Sequence, residues 1–189
     1  MTIEQLMRET FYSRAHWTPE ASAYVARHRI DMAAVNAFAG LLAVIPCDFA
    51  GNGTFDFAEF GGTPAVVIEV YAEDDETTVD LVAWPLDRPE SFATMLGSDA
   101  LGMARVFNPA TWAFGHVLNV FRTPLAWLQA GCDGCAVLDH RNVAGWLGKA
   151  LGPIQAEDIA HARQIDAWLN PKFDKRNILV PREERKAAA

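Results

Sequence analysis

The chain is predicted to be an α+β protein. N-terminal helices come first, then antiparallel hairpins in a mixed sheet, then a C-terminal βαβ-like unit with helices packed on the sheet. Three observations predict this. Helix-start signals crowd the segment from Thr2 to Asp31. Apolar and polar residues alternate between Pro64 and Trp84 around an acidic turn. From His116 onward, short apolar runs alternate with helical spacing.

Each element has a local cause. Thr2 and Gln5 form a capping box that opens a helix toward Arg14. Thr18-Pro19 joins an N-cap to a proline at the first helical position, which opens a second helix to Arg27. Asp31 caps a third, with Val35, Phe38 and Leu42 along one face. Short helices joined by a turn suggest a DNA-binding motif, yet residues 31–45 hold no Lys or Arg to meet phosphates. In the middle, Ala65–Ala72 and Thr77–Trp84 flank the turn Glu73-Asp74-Asp75-Glu76. A period of two puts Val66, Ile68, Val70, Val79, Leu81 and Ala83 on one buried face, with the acids outward. Further on, His116–Phe121 is a strand, and Thr123-Pro124 starts a helix that Gly131 stops. Cys135–Leu138 is a buried strand, giving one βαβ unit. Val143, Trp146, Leu147, Ala150 and Leu151 make an amphipathic helix, and another runs from Ala156 to Leu169. Ile178-Leu179-Val180 adds a last strand.

Composition bounds the function classes. At 189 residues, with 51% hydrophobic and 21% charged side chains, residues 1–180 are expected to form one globular domain. Residues 181–189 are expected to be a flexible basic tail. Neither a signal peptide nor a membrane span is expected, and three cysteines do not make a disulfide scaffold, so a cytoplasmic protein is anticipated. The net charge of −8 divides into +3 over residues 172–189 and −11 over the rest. Such a body repels nucleic acid, except through the tail, and attracts basic protein partners. Oligomeric state is left open.

Three candidate sites stand out. Residues 48–59 carry Asp48, Asn52, Gly53, Thr54, Asp56 and Glu59 in the D-x-[DN]-x-[DN]-G-x5-E order. This segment resembles the EF-hand calcium loop of the calmodulin type. The resemblance implies Ca²⁺ held by Asp48, Asn52, the Thr54 carbonyl, Asp56 and Glu59. Ala50 replaces one ligand, Pro46 interrupts an entering helix, and Gly61-Gly62-Thr63-Pro64 ends an exit helix. The competing reading is a hairpin of Leu41–Phe49 and Thr54–Phe60 with Asn52-Gly53 at its tip and Pro46 on a sheet-edge strand.

The second candidate comes from hairpin register. Pairing Ala72 with Thr77 sets Glu69 opposite Asp80, a like-charged pair that needs a metal, an arginine or a shared proton. The third is a set of cysteines and histidines. Cys132-Asp133-Gly134-Cys135 has CxxC spacing but lacks a second pair for zinc, and is read as one loop and one core cysteine. Glu157 and His161 are one helical turn apart, and Asp139 and His140 follow a strand where open parallel sheets place ligands. Glu69, Asp80, Asp139, His140 and His161 are thus the candidate catalytic residues, with a divalent cation as the candidate cofactor. The primary expectation is a binding or accessory module that presents a protein-binding surface. A metal-assisted, hydrolase-like enzyme and a calcium-loop protein are the alternatives.

Overall fold

The computed structural model describes residues 2–38, 40–169 and 178–179. The expected tail, 181–189, lies outside them. The chain is α+β, with a curled antiparallel sheet and a second, mixed sheet.

Three helices open the chain: α1 (Ile3–Arg14), α2 (Pro19–His28) and α3 (Met32–Phe38). The capping box of α1 is formed, with Thr2 N–H donating to Gln5 Oε1 at 2.9 Å and Gln5 N–H to Thr2 Oγ1 at 3.3 Å. Thr18 caps α2 through Ala21 N–H, and Asp31 accepts from Ala33 N–H beneath α3. The curled sheet follows, in the order β2-β1-β3-β4-β5. Its strands are β1 (Ala43–Phe49), β2 (Phe55–Phe57), β3 (Thr63–Tyr71), β4 (Thr78–Pro85) and β5 (Ala93–Thr94). A bridge between Thr54 and Thr94 draws the two ends of this sheet together.

The mixed sheet contains β6 (Ala100–Leu101), β7 (Leu118–Phe121), β8 (Cys135–Val137), β9 (Ile154–Ala156) and β10 (Ile178–Leu179), ordered β10-β9-β7-β8-β6. Here β7 runs parallel to both β8 and β9. Helix α5 (Pro124–Gln129) connects β7 to β8 and completes the βαβ unit. Helices α4 (Met103–Phe107), α6 (Val143–Trp146) and α7 (Ile159–Leu169) supply the rest. The single helix expected over Val143–Leu151 is α6 followed by a 3-10 turn at Leu147–Lys149. The helix expected from Ala156 begins three residues later, because Ala156 closes β9.

Two corrections concern the curled sheet. Its central hairpin is buried on both faces, not one. Val66, Ile68, Val70, Val82 and Trp84 enter a core shared with α2, α3, α5, β6 and β8. Ala65, Val67, Leu81 and Ala83 enter a separate core beneath Met7 and Phe11 of α1. Leu81 and Ala83 therefore face away from Val66 and Ile68. The reason is a β-bulge. Tyr71 pairs with Thr78 but Val70 pairs with Asp80, which leaves Val79 as an extra residue and shifts everything beyond it by one.

The second correction concerns Pro46. Strand β1 is interior, paired to β2 and β3, so Pro46 does not mark an edge. Opposite it, Ala58 N–H donates to the Pro46 carbonyl at 3.0 Å. Proline has no N–H to return to the Ala58 carbonyl, and Arg14 of α1 supplies that donor instead, Nη1 to O at 2.8 Å. A third core, beneath α4, α6 and α7, fills the far face of the mixed sheet around Leu118, Val120, Trp146, Ile154 and Ile165.

Candidate functional site

The segment that resembles a calcium loop is a β-hairpin. Ala50 N–H donates to the Thr54 carbonyl and Gly53 N–H to the Ala50 carbonyl, so the loop is three residues long. Gly53 takes φ +84°, the left-handed position that such a loop reserves for glycine. Asn52 Oδ1 accepts from Thr54 N–H and Thr54 Oγ1, and Asp56 Oδ1 accepts from Phe57 N–H. The five predicted calcium ligands are strung along two paired strands and the loops around them. On either side of the loop the chain forms the paired strands β1 and β2, where an EF-hand has two helices. Helices could not persist here: Pro46 and Gly61-Gly62 bound the segment, and alternate residues Phe55 and Phe57 bury beneath α1.

What the hairpin does build is a groove. Three adjoining cavities surround it, and Asp48 lines all three. One, of about 560 Å³, lies between the hairpin and the segment Pro85–Ala93, reaching Arg88 and Phe92. The next, also about 560 Å³, runs between Phe49, Thr54 and Asp56 on one side and Met95 and Leu96 on the other. The last, about 590 Å³, is walled by Thr10 and Arg14 of α1 and by Glu59 and Phe60. Asp48 pairs directly across from Asp56, and both are exposed. Like charges so placed repel. Among the described residues, neither they nor Glu59 makes a salt bridge. Phe60 projects at the rim with 92% of its surface exposed, and Leu96 is 44% exposed. Ile3 and Leu6, also exposed, continue the flank of α1 that carries Thr10 and Arg14.

The Glu69–Asp80 pair is not formed. The bulge puts Glu69 opposite Leu81 and Asp80 opposite Val70, so the two carboxylates leave opposite faces of the sheet. Neither faces water, at 2% and 0% exposure. Glu69 accepts hydroxyls from Tyr12 (2.7 Å), Thr78 (2.8 Å) and Tyr71 (3.2 Å), which ties α1 to β3 and β4. Burial, and then Glu69, push both the Tyr12 and the Tyr71 phenols upward. Asp80 accepts four backbone N–H groups, from Leu81 (2.7 Å), Met95 (3.1 Å), Leu96 (2.8 Å) and Ser98 (2.8 Å). Periodicity alone carried no signal for either network.

Asp139, His140 and His161 lie near the carboxyl ends of β8 and β9. Asp139 accepts from Arg141 N–H and pairs with its guanidinium, which holds the carboxyl below its usual range. His140 is exposed and stacks on Trp168 at 5.9 Å between ring centroids. His161 is fully buried and meets the same indole edge-on at 6.5 Å. Its Nδ1 accepts from Glu157 N–H at 3.3 Å, while Nε2 has no partner among the described residues. Arg122, at the end of β7, grips both Glu157 and Asp158 and drives the Asp158 carboxyl far below its ordinary value. The residues that sequence reasoning missed are Arg122 and Trp168. They line a small crevice of about 200 Å³ with His140, Gln164 and Phe92.

No three His, Cys, Asp or Glu side chains among the described residues converge as metal ligands. The cysteines are unpaired and occupy three different cores: Cys47 beneath α1, Cys132 in the shared core and Cys135 on the far side of the mixed sheet. Cys132 lies in the turn after α5 and is buried there. Burial pushes each thiol up to about 12, so none is a poised nucleophile. No helix among the described residues is long and apolar enough to cross a membrane.

Fold and site together define an α+β protein with two sheets on a shared core and an acidic, aromatic-rimmed groove around one hairpin. No protein-family model, curated protein or solved structure matches the chain.

Proposed function

We propose that this chain is a binding module that takes an extended, basic segment of a protein partner along the groove around the β1–β2 hairpin. One observation carries the reading: Asp48 lines three adjoining cavities, and Phe60 stands almost wholly exposed at the rim of the one beside α1. Charge selects the occupant. Asp48, Asp56 and Glu59 lack salt-bridge partners among the described residues, in a chain of net charge −8. Of the two arginines along the groove, Arg14 is engaged with the Ala58 carbonyl and lies over the Phe57 ring. A lysine or arginine lying between Asp48 and Asp56 relieves their repulsion. Phe60 and Leu96 offer the apolar anchors on which such interfaces concentrate their energy.

The test is calorimetric titration with a synthetic peptide that alternates lysine and leucine. Binding is expected to weaken with salt. It should weaken about tenfold in D48N/D56N and again in F60A, a loss of about 1.4 kcal/mol each. The reading fails if an alternating glutamate–leucine peptide binds as well, or if neither variant changes the affinity.

A further inference from the structure

We infer that Asp80 is a positioning residue for this groove: its buried carboxylate holds the segment 95–98 in place, so that Met95 and Leu96 form a wall set before any partner arrives. The inference rests on the groove reading above. Asp80 is fully buried, yet no cation is within salt-bridge distance among the described residues. Its charge is spread over backbone amides instead. Oδ1 takes Leu81, Met95 and Leu96, and Oδ2 takes Ser98, so the chain from Met95 to Ser98 wraps around one carboxylate. Hydrogen bonds to a carboxylate are the strong ones, and three of these four come from the short segment 95–98.

The bulge at Val79 is a second, independent feature. An unbroken register sets Asp80 on the face that Glu69 occupies, toward α1. The extra residue turns it to the opposite face, with Val70, and from there it reaches the amides of Met95, Leu96 and Ser98, which run on from the edge strand β5. Bulges are used in this way, to re-aim one side chain beside a functional surface. Thr94 N–H donates to the Gly53 carbonyl at 3.2 Å, so the anchored segment is also tied to the hairpin that it faces across the cavity. A preset wall spares the partner the ordering of a loop on binding.

The experiment compares wild type and D80N, as full chains, in two measurements. Hydrogen exchange on the free protein reads the anchoring. Titration with the lysine–leucine peptide reads the consequence. Asparagine keeps the shape but turns an N–H toward amides that are themselves donors. Exchange at residues 96 and 98 is expected to quicken at least about tenfold, with α1 and β3 unchanged, and the Kd is expected to rise about tenfold; the Met95 amide keeps the Leu81 carbonyl as a second acceptor. Unchanged protection at residues 96 and 98 overturns the anchoring. Lost protection with unchanged affinity overturns the positioning role. A wild type that does not bind the peptide defeats the groove reading, and with it the role in binding, whatever the exchange shows. Should D80N fail to fold, L96A trims the exposed wall residue alone, and an affinity equal to wild type then overturns the proposal.

Discussion

At the scale of single residues, the chain invests its buried polar groups in joining elements. Glu69 collects three hydroxyls from α1, β3 and β4, and Asp80 collects four amides. Trp84 Nε1 donates to Tyr24 OH at 2.7 Å across the shared core. A consequence follows for the three tyrosines of the chain. Burial, first of all, raises Tyr12, Tyr24 and Tyr71 above the ordinary phenol value. A raised native value favours the neutral phenol. The stabilisation is complete below the unfolded value of about 10 and is lost as pH rises through the native values. Tyrosinate absorbance is therefore expected to rise together with unfolding above about pH 10, not ahead of it. A separate earlier titration of two or more phenols contradicts this.

At the scale of elements, local signals and packing share the outcome. Caps at Thr2, Thr18 and Thr123 lie within three residues of the amides they satisfy, so their helices were legible in the sequence. Strands β5, β6 and β9 were not, because two or three residues carry no periodicity. They form where neighbours offer an edge. The turn from α5 into β8 shows how tight such an edge is. Gly134 has φ +121°, and a Cβ there comes within 2.2 Å of the Asn119 carbonyl on β7. Gly134→Ala is expected to cost about 2–3 kcal/mol, from a forbidden backbone angle and overpacking together. Urea denaturation measures it, and a loss under about 0.5 kcal/mol, the scatter of a neutral surface change, contradicts the reading.

At the scale of the whole molecule, the shared core decides how the two sheets relate. Trp84 and Trp127 are both at least 99% buried in it, one from the curled sheet and one from α5 beside the mixed sheet. Side chains of this size in a common core couple the layers that supply them. Trp84→Ala is expected to cost about 3–5 kcal/mol and to lower hydrogen-exchange protection in β7 and β8 as well as in β3 and β4. Protection lost from the curled sheet alone shows two independent units instead.

Determined by sequence alone were the α+β class, the main helices with their caps, the central hairpin and the turn at Asn52-Gly53. Each rests on residues a few positions apart, where caps, turns and the two side-chain periods act. Tertiary structure alone decided the register past Val79, which separated Glu69 from Asp80. It also carried β1 into the sheet interior, despite Pro46, through a donor from Arg14. The groove belongs to that second group. Asp48, Phe60 and Leu96 stand up to 48 positions apart, and only the curling of one sheet and the burial of its apolar faces bring them around a common hollow.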